Sequence, residues 1–358
     1  MFGRLLQISL EMGGKPVPTV DWLRENIPHW YGLKVQTAQK VRDAWRLETT
    51  LGPKCFKRVE LSRGKVDFIA AALNHLLHNG FTATIPFIAT LDGCNFVEEP
   101  DGLYYLTDWI PGREGDITGV ADVCAAAGIL AKLHQASQGF ILPPNCEPRQ
   151  TWGKLPYEWL KHHAELERYR VLAQAAMDST FNREFAATSG WYIARCQCAI
   201  DILHTCNYEK LVEQAKRQGS LCHRDFTYHN FIFDTANRLY VIDFDYCAQE
   251  IRAYDVARYA RKVARNFKWQ LRPVKLMLQA YDEVAPLSSD EIRFIAAFLF
   301  FPQQYWRIAN RHFNTSSHAK AKLTKELLHE TKHRLQEERF LQQFWAASTC
   351  GAVVRSGI

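Results

Sequence analysis

"HRDFTYHNFIFDTANRLYVIDFDY", His223 to Tyr246, sets Asp225, Asn230, Asp243 and Asp245 around one short apolar hairpin. Carboxylates beside apolar strands cost free energy unless something pairs with them, and a divalent metal would. His223, Asp225 and Asn230 fit H-x-D-x-x-x-x-N; with Arg224 they fit H-R-D-x-x-x-x-N. The strands "FIF" and "LYVID", joined by "DTANR", return the chain so that Asp243 arrives near Asn230. A hard cation such as Mg²⁺ takes oxygen ligands and keeps several waters. Asn230 and Asp243, with phosphate oxygens, make a suitable shell. Asp225 is then left to orient or deprotonate an attacking hydroxyl, which completes a phosphoryl-transfer arrangement. Singly, each residue could be a turn or cap residue. The second Asp, ending an apolar strand after a hairpin of the right length, argues against chance.

Upstream, "VDWLRENIPHWYG" reads as a helix with Asp21 as N-cap and Gly32 at its end. "LKVQTAQKVR", "AWRLETT" and "KCFKRVEL" alternate as strands, with a Leu51-Gly52-Pro53 turn between the last two. "KVDFIAAALNHLLHNG" is a helix stopped by Gly80, and further strands are expected at "IPFIAT" and "LYYLTDWI". Pro111-Gly112 interrupts the pattern, and helices follow at "GVADVCAAAGILAKLHQAS", "YEWLKHHAELERYRVLAQAAM" and "WYIARCQCAIDILHTC". From Asp255 onward the chain is again helical. The expectation is a bilobal α+β fold: a small antiparallel lobe with one helix (1–110), and a large helical lobe (111–358) carrying the hairpin and the substrate site. The connection Thr107 to Gly112 would floor a cleft, where ligands bind.

Lys57, in "CFKRV", faces opposite to Phe56. A strand lysine aimed into a cleft can hold α- and β-phosphates; otherwise it is a solvated edge-strand residue. The connection "LTDWIPG" would meet an adenine ring with backbone groups near Asp108 and Ile110. Aromatic residues Trp152, Tyr157, Trp159, Trp191 and Tyr192 either line the acceptor site or pack helices together.

Composition narrows the classes. The chain has 358 residues, 47% of them apolar and 23% charged, enough for a large core without disulfide staples. The net charge of +6 is spread along the sequence rather than focused in a basic stripe, which argues against nucleic acid and fits an anionic small ligand. Lys320 to Arg339 alternates in sign and reads as a solvated helix with i,i+4 pairs. The ten cysteines include no C-x-x-C pair and read as free thiols. The start, "MFGRLLQISLEMGG", does not read as a signal peptide, and "FIAAFLFF" is too short to span a bilayer. A cytoplasmic protein without membrane partners is expected.

Lys57, "LTDWIPGRE", "LAKLH", "LCHRDFTYHN", "VIDFDY" and "YDVAR" together resemble the aminoglycoside phosphotransferase and choline kinase superfamily, which has a protein-kinase-like fold. "FPQQYWRIANRHF", with "IDFDYC" and "HRDFTYHN", is similar to the CotS family of spore coat proteins within it. The resemblance runs from about Trp30 to Phe313. It implies ATP and Mg²⁺ as cofactors, Asp225 as catalytic base, Asn230 and Asp243 as metal ligands, and Lys57 as the phosphate-holding lysine. Asp255 matches a structural aspartate, and Asp245 takes the place of the Gly in the protein-kinase D-F-G. Two features depart from the pattern. The turn in "KVRDAW" has no glycine to let backbone N–H groups approach phosphate. The helix after Lys57 has no glutamate to pair with it; Asp67 is its one acid.

Three readings compete. The first is an ATP/Mg²⁺-dependent kinase of a small alcohol. The second is a spore coat structural or assembly protein with a kinase-like fold, partnered by other coat proteins. The third, a protein kinase, is disfavoured: there is no G-x-G-x-x-G and no A-P-E, and Asp255 follows only twelve positions after Asp243.

Overall fold

A computed structural model describes residues 18–314 and 320–349. The opening "MFGRLLQISLEMGG" lies outside them. The fold is mixed, with small antiparallel sheets and a large helical portion. The chain divides into two compact units: 1–115 with 140–149 and 229–247, and 116–139 with 150–228 and 248–358. The boundary falls inside the quoted stretch, between Tyr228 and His229.

In the first unit, helix α1 (Val20–Tyr31) is capped by Thr19, whose hydroxyl accepts from Trp22 N at 3.2 Å; Asp21 sits in the first turn instead of at the cap. Gly32 ends it at φ +67°, a conformation that costs glycine little. Strands β1 (Val35–Val41), β2 (Ala44–Thr49) and β3 (Gly52–Val59) form a meander, and helix α2 (Arg63–His78) follows. Strands β4 (Val97–Glu99) and β5 (Gly102–Asp108) complete a sheet of order β1-β2-β3-β5-β4. β3 is therefore a central strand, which removes the edge-strand reading of Lys57. Phe56, on the opposite face, packs with Leu23, Ile27, Leu47 and Leu106 under α1.

"IPFIAT" forms no strand. Toward β5 it makes one bridge, Phe87 to Thr107, and the bond of Ile88 N to Leu106 O at 2.7 Å, while Thr90 N turns to Cys94 O at 2.9 Å. Pro86 lacks the N–H that a ladder would need. Pro111-Gly112 does not simply break the pattern: strand β6 (Gly112–Glu114) pairs with the first hairpin strand, Gly112 opposite Asp234. A Cβ on Gly112 would lie 2.0 Å from Phe233 O, so no other residue permits this approach. The hairpin, Phe231–Asp234 with Leu239–Val241, is also tied to the loop after α2 by Val241 N to Ala83 O at 2.8 Å.

The second unit is helical: α3 (Val120–Ala136), α4 (Leu155–Ala175), α5 (Thr180–Thr205), α6 (Tyr208–Gln218), α7 (Arg252–Asn266), α8 (Leu271–Asp282), α9 (Ser289–Phe300), α10 (Gln303–Asn314), α11 (Lys320–Thr331) and α12 (Arg334–Thr349). The stretch Lys320 to Arg339 is two helices, not one solvated helix. Leu323, Leu327 and Glu337 are buried, and its charges pair across the fold, Glu337 with Arg195 at 3.0 Å and Glu330 with Arg265 at 2.8 Å. Trp159 stacks on Phe301 at 4.5 Å and Tyr192 on Tyr305 at 3.7 Å; both are core. No helix among the described residues is long and apolar enough to cross a membrane.

Candidate active site

Strand alternation sends Lys57 into a cavity of about 420 Å³ within the first unit, inside the size range of small-molecule sites. Its walls come from the β1–β2 turn, β3, β5, the segment Asp108–Gly112 and the hairpin ends, so Lys57, Asp108, Ile110, Asn230 and Asp243 share it. The ammonium of Lys57 lies 2.9 Å from Asp243 Oδ1, 2.9 Å from Asp245 Oδ2 and 3.6 Å from Asp43 Oδ2. Burial by itself would lower its pKa, but Asp245 and Asp243 outweigh burial and hold it above the ordinary lysine value.

Asp245 is therefore the partner that the helix does not supply. Asp67 is not: its Oδ1 accepts from Asn95 Nδ2 at 2.9 Å. Tyr105, opposite Lys57 on β5, donates its hydroxyl to Asp245 Oδ1 at 3.1 Å. Burial raises the pKa of Asp245, and Lys57 offsets it only in part. Asp245 has no motif of its own; the one sequence signal was a second carboxylate two residues after Asp243.

Asp243 has φ +63°, a region in which Asp is among the better-tolerated residues with a side chain. Its Oδ1 is buried and accepts no aligned hydrogen bond from the described residues, among which the charge of Lys57 compensates it at 2.9 Å. Asn230 is buried on the same wall, its carbonyl accepting from Ile242 N at 3.0 Å. A buried carboxylate oxygen short of donors, beside an amide, is a donor set that suits a hard cation.

The glycine-free turn is held by charge. Arg42, at φ +55°, pairs with Glu114 of β6 at 2.6 Å, and His229 Nδ1 lies 2.7 Å from Glu114 and 3.1 Å from Arg42. Asp108 pairs with Lys54 at 2.7 Å, which fixes the start of the connection.

Asp225 belongs to the second unit, where Arg258 and Lys262 of α7 lie 3.9 and 3.7 Å from its Oδ1. Below it, Asp255 is fully buried. Its oxygens accept from His223 N at 2.6 Å and Arg224 N at 2.9 Å, and His134 Nε2 is 3.4 Å away. Burial would raise the pKa of Asp255, but His134, His223 and these N–H groups bring it below the ordinary value. Cys222 stands close enough to His134 and Asp255 to suggest a metal site. The ligand atoms are already engaged, however: His134 Nδ1 meets Tyr281 Oη at 2.8 Å, and the Cys222 thiol donates to Ile251 O at 3.3 Å.

The family model described as "Spore coat putative kinase YutH" matches residues 24–344. The chain belongs to that family. Among curated proteins it is similar to spore coat protein S of Bacillus subtilis (strain 168), 24% identical over 76% of this chain and 77% of that protein. Among solved structures it resembles an aminoglycoside phosphotransferase from Alicyclobacillus acidocaldarius, with a TM-score of 0.80, 19% identity, and coverage of 89% and 94% of the two chains. A spectinomycin phosphotransferase solved with ADP and spectinomycin gives a TM-score of 0.59 at 14% identity, covering 90% and 99%. At these identities the neighbours establish the protein-kinase-like fold of small-molecule phosphotransferases.

Proposed function

We propose that this spore coat kinase-family protein transfers the γ-phosphoryl group of ATP to a hydroxyl of a small molecule, with Mg²⁺. The observation that carries the reading is the ion pair of the buried Lys57 with Asp243 in a ligand-sized cavity that Asn230 also lines. Lys57 holds nucleotide phosphates, and backbone groups near Asp108 and Ile110 meet the base. Asn230 and Asp243 hold the metal, which when bound offsets negative charge on the phosphates. Asp225 orients the acceptor hydroxyl and takes its proton. The hydroxyl oxygen bonds to the γ-phosphorus as the bond to the β,γ-bridging oxygen breaks, and ADP leaves with that electron pair. The products are a phosphate monoester, ADP and a proton.

A second reading, a coat assembly protein with little catalysis, draws on the turn at Arg42-Asp43. There the Asp43 carboxylate, rather than an open backbone, faces Lys57 at 3.6 Å. Other coat proteins would then be the partners, in keeping with the similarity to spore coat protein S. Isothermal calorimetry with ATP, with and without Mg²⁺, separates the two. The kinase reading expects saturable binding that Mg²⁺ strengthens. A folded protein with no detectable binding in either condition would leave the coat reading standing.

A further inference from the structure

We infer that the acceptor alcohol is an anion, and that Arg258 and Lys262 hold its carboxylate or phosphate beside Asp225. This rests on the phosphotransferase reading of Asp225. The two cations are four residues apart on α7 and so share one face of it. Both approach the same oxygen of Asp225, at 3.9 and 3.7 Å. Among the described residues, Asp225 is the one carboxylate within ion-pair reach of either. Two positive charges thus meet one negative charge, with an excess of one. The side chains are 33% (Arg258), 30% (Lys262) and 36% (Asp225) exposed, so the excess faces solvent.

The other cations of α7 are spoken for. Arg252 pairs with Glu291 at 2.6 Å and Arg265 with Glu330 at 2.8 Å. Arg261 is half-buried, donates to Phe301 O at 3.0 Å and lies over the Phe298 ring at 4.2 Å. Nearby acids offset the excess less. Asp255 pulls on Lys262 more weakly than Asp225 does, and its oxygens are taken by backbone N–H groups; Glu250 is buried with Thr151 and Ile251 N.

The free donors point to an anion as well. Lys262 uses one donor on Phe226 O at 3.0 Å, of the three an ammonium offers. Arg258 makes no hydrogen bond to another described residue, so its planar fork is open to two oxygens of a carboxylate or phosphate. Burial lowers the pKa of Lys262 to about 8, against the pull of Asp225 and with the push of Arg258. An incoming anion would relieve that push. A polycationic or quaternary ammonium acceptor would meet like charge at the same place, and is disfavoured.

The test has two arms. In the first, glycerol phosphate, glycerate, glycerol and choline are offered with Mg-ATP, and ester formation is followed by phosphorus NMR. The phosphate and carboxylate alcohols should exceed glycerol at least tenfold in kcat/KM, with choline lowest. Arg258→Ala should raise KM for the anionic acceptor about tenfold, Arg258→Lys should recover part of it, and KM for ATP should hold. Choline or glycerol turned over as well as the anions would overturn the proposal. An equal rise in KM for ATP would also overturn it, by assigning the cations to the nucleotide. In the second arm, inorganic phosphate is titrated in thermal-shift experiments without nucleotide, on wild type and on Arg258→Glu shown to be folded by circular dichroism. A phosphate-dependent rise larger in wild type supports the site; equal rises sink it. Mg-ATP titrated into the same wild-type sample isolates the parent reading: phosphate binding without nucleotide binding would retain the anion site and remove the kinase assignment.

Discussion

Two aspartates, Asp255 fully buried and Asp245 half-buried, lie ten residues apart in the sequence and show what loss of water does to a carboxylate in opposite settings. Asp255 has donors on both oxygens and an imidazole beside it, and its pKa is lowered. Asp245 shares one lysine with a second carboxylate and takes one tyrosine hydroxyl, and its pKa is raised. The first carboxylate is saturated and holds backbone in place. The second belongs to a group with more negative than positive charge, an imbalance that the proposed metal would offset.

Replacing Asp255 should do the most damage. Asp255→Ala strands two backbone N–H groups and His134 in the interior, and removing one partner of a buried charged network costs about 3–5 kcal/mol. Urea unfolding followed by circular dichroism should show that loss; a change within ~1 kcal/mol would mean that Asp255 is not structural. Its pH signature follows from the lowered pKa. Stability from Asp255 is present above the unfolded-state value and is lost as pH falls toward the native one. Asp255→Asn should therefore show a shallower acid limb.

Asp243→Ala comes next and inverts the pattern. It should cost little stability, because Lys57 keeps Asp245 as a partner at 2.9 Å and the oxygen removed accepts no aligned hydrogen bond. It should weaken Mg-ATP binding by about 10–100-fold or more, since even outer-shell partners of metal sites reach that range. Calorimetry that found unchanged affinity would place the metal elsewhere.

The smallest effect is expected from Asp245→Asn. Its raised pKa means the native state holds the proton more tightly than the unfolded chain, so wild type loses stability as pH rises above the ordinary aspartate range. The asparagine variant should lack that loss and so match or exceed wild type near neutrality. Melting curves across pH 4 to 8, roughly the span in which a raised carboxylate titrates, would show whether the two aspartates differ in sign. If both variants gave the same slope, the comparison would fail.

Much of this could be read in advance, for physical reasons. Lys57 was legible because strand side chains alternate with period two, so a buried Phe56 commits its neighbour to the other face. Asn230 and Asp243 were legible because a hairpin brings together residues of fixed separation. The misreadings share a cause. Asp67 is the one acid on the helix after Lys57, yet it bonds Asn95, and Lys57 pairs instead with Asp245, 188 positions away in sequence. Lys320 to Arg339 looked like a solvated helix because charge patterning reports local neighbours, whereas Glu330 and Glu337 pair with arginines of α7 and α5.

By itself the sequence determined most helices, the faces of the first strands and the spacing of the H-x-D-x-x-x-x-N hairpin, because these depend on backbone periodicity and short chain separations; it did not place the strand at Gly112 or remove the one expected at "IPFIAT". Only the tertiary structure decided which charge meets which: Lys57 with Asp243 and Asp245, Arg42 with Glu114 and His229, Asp225 with Arg258 and Lys262. Coulomb energy and desolvation depend on distance and burial in three dimensions, and no spacing along the chain encodes either.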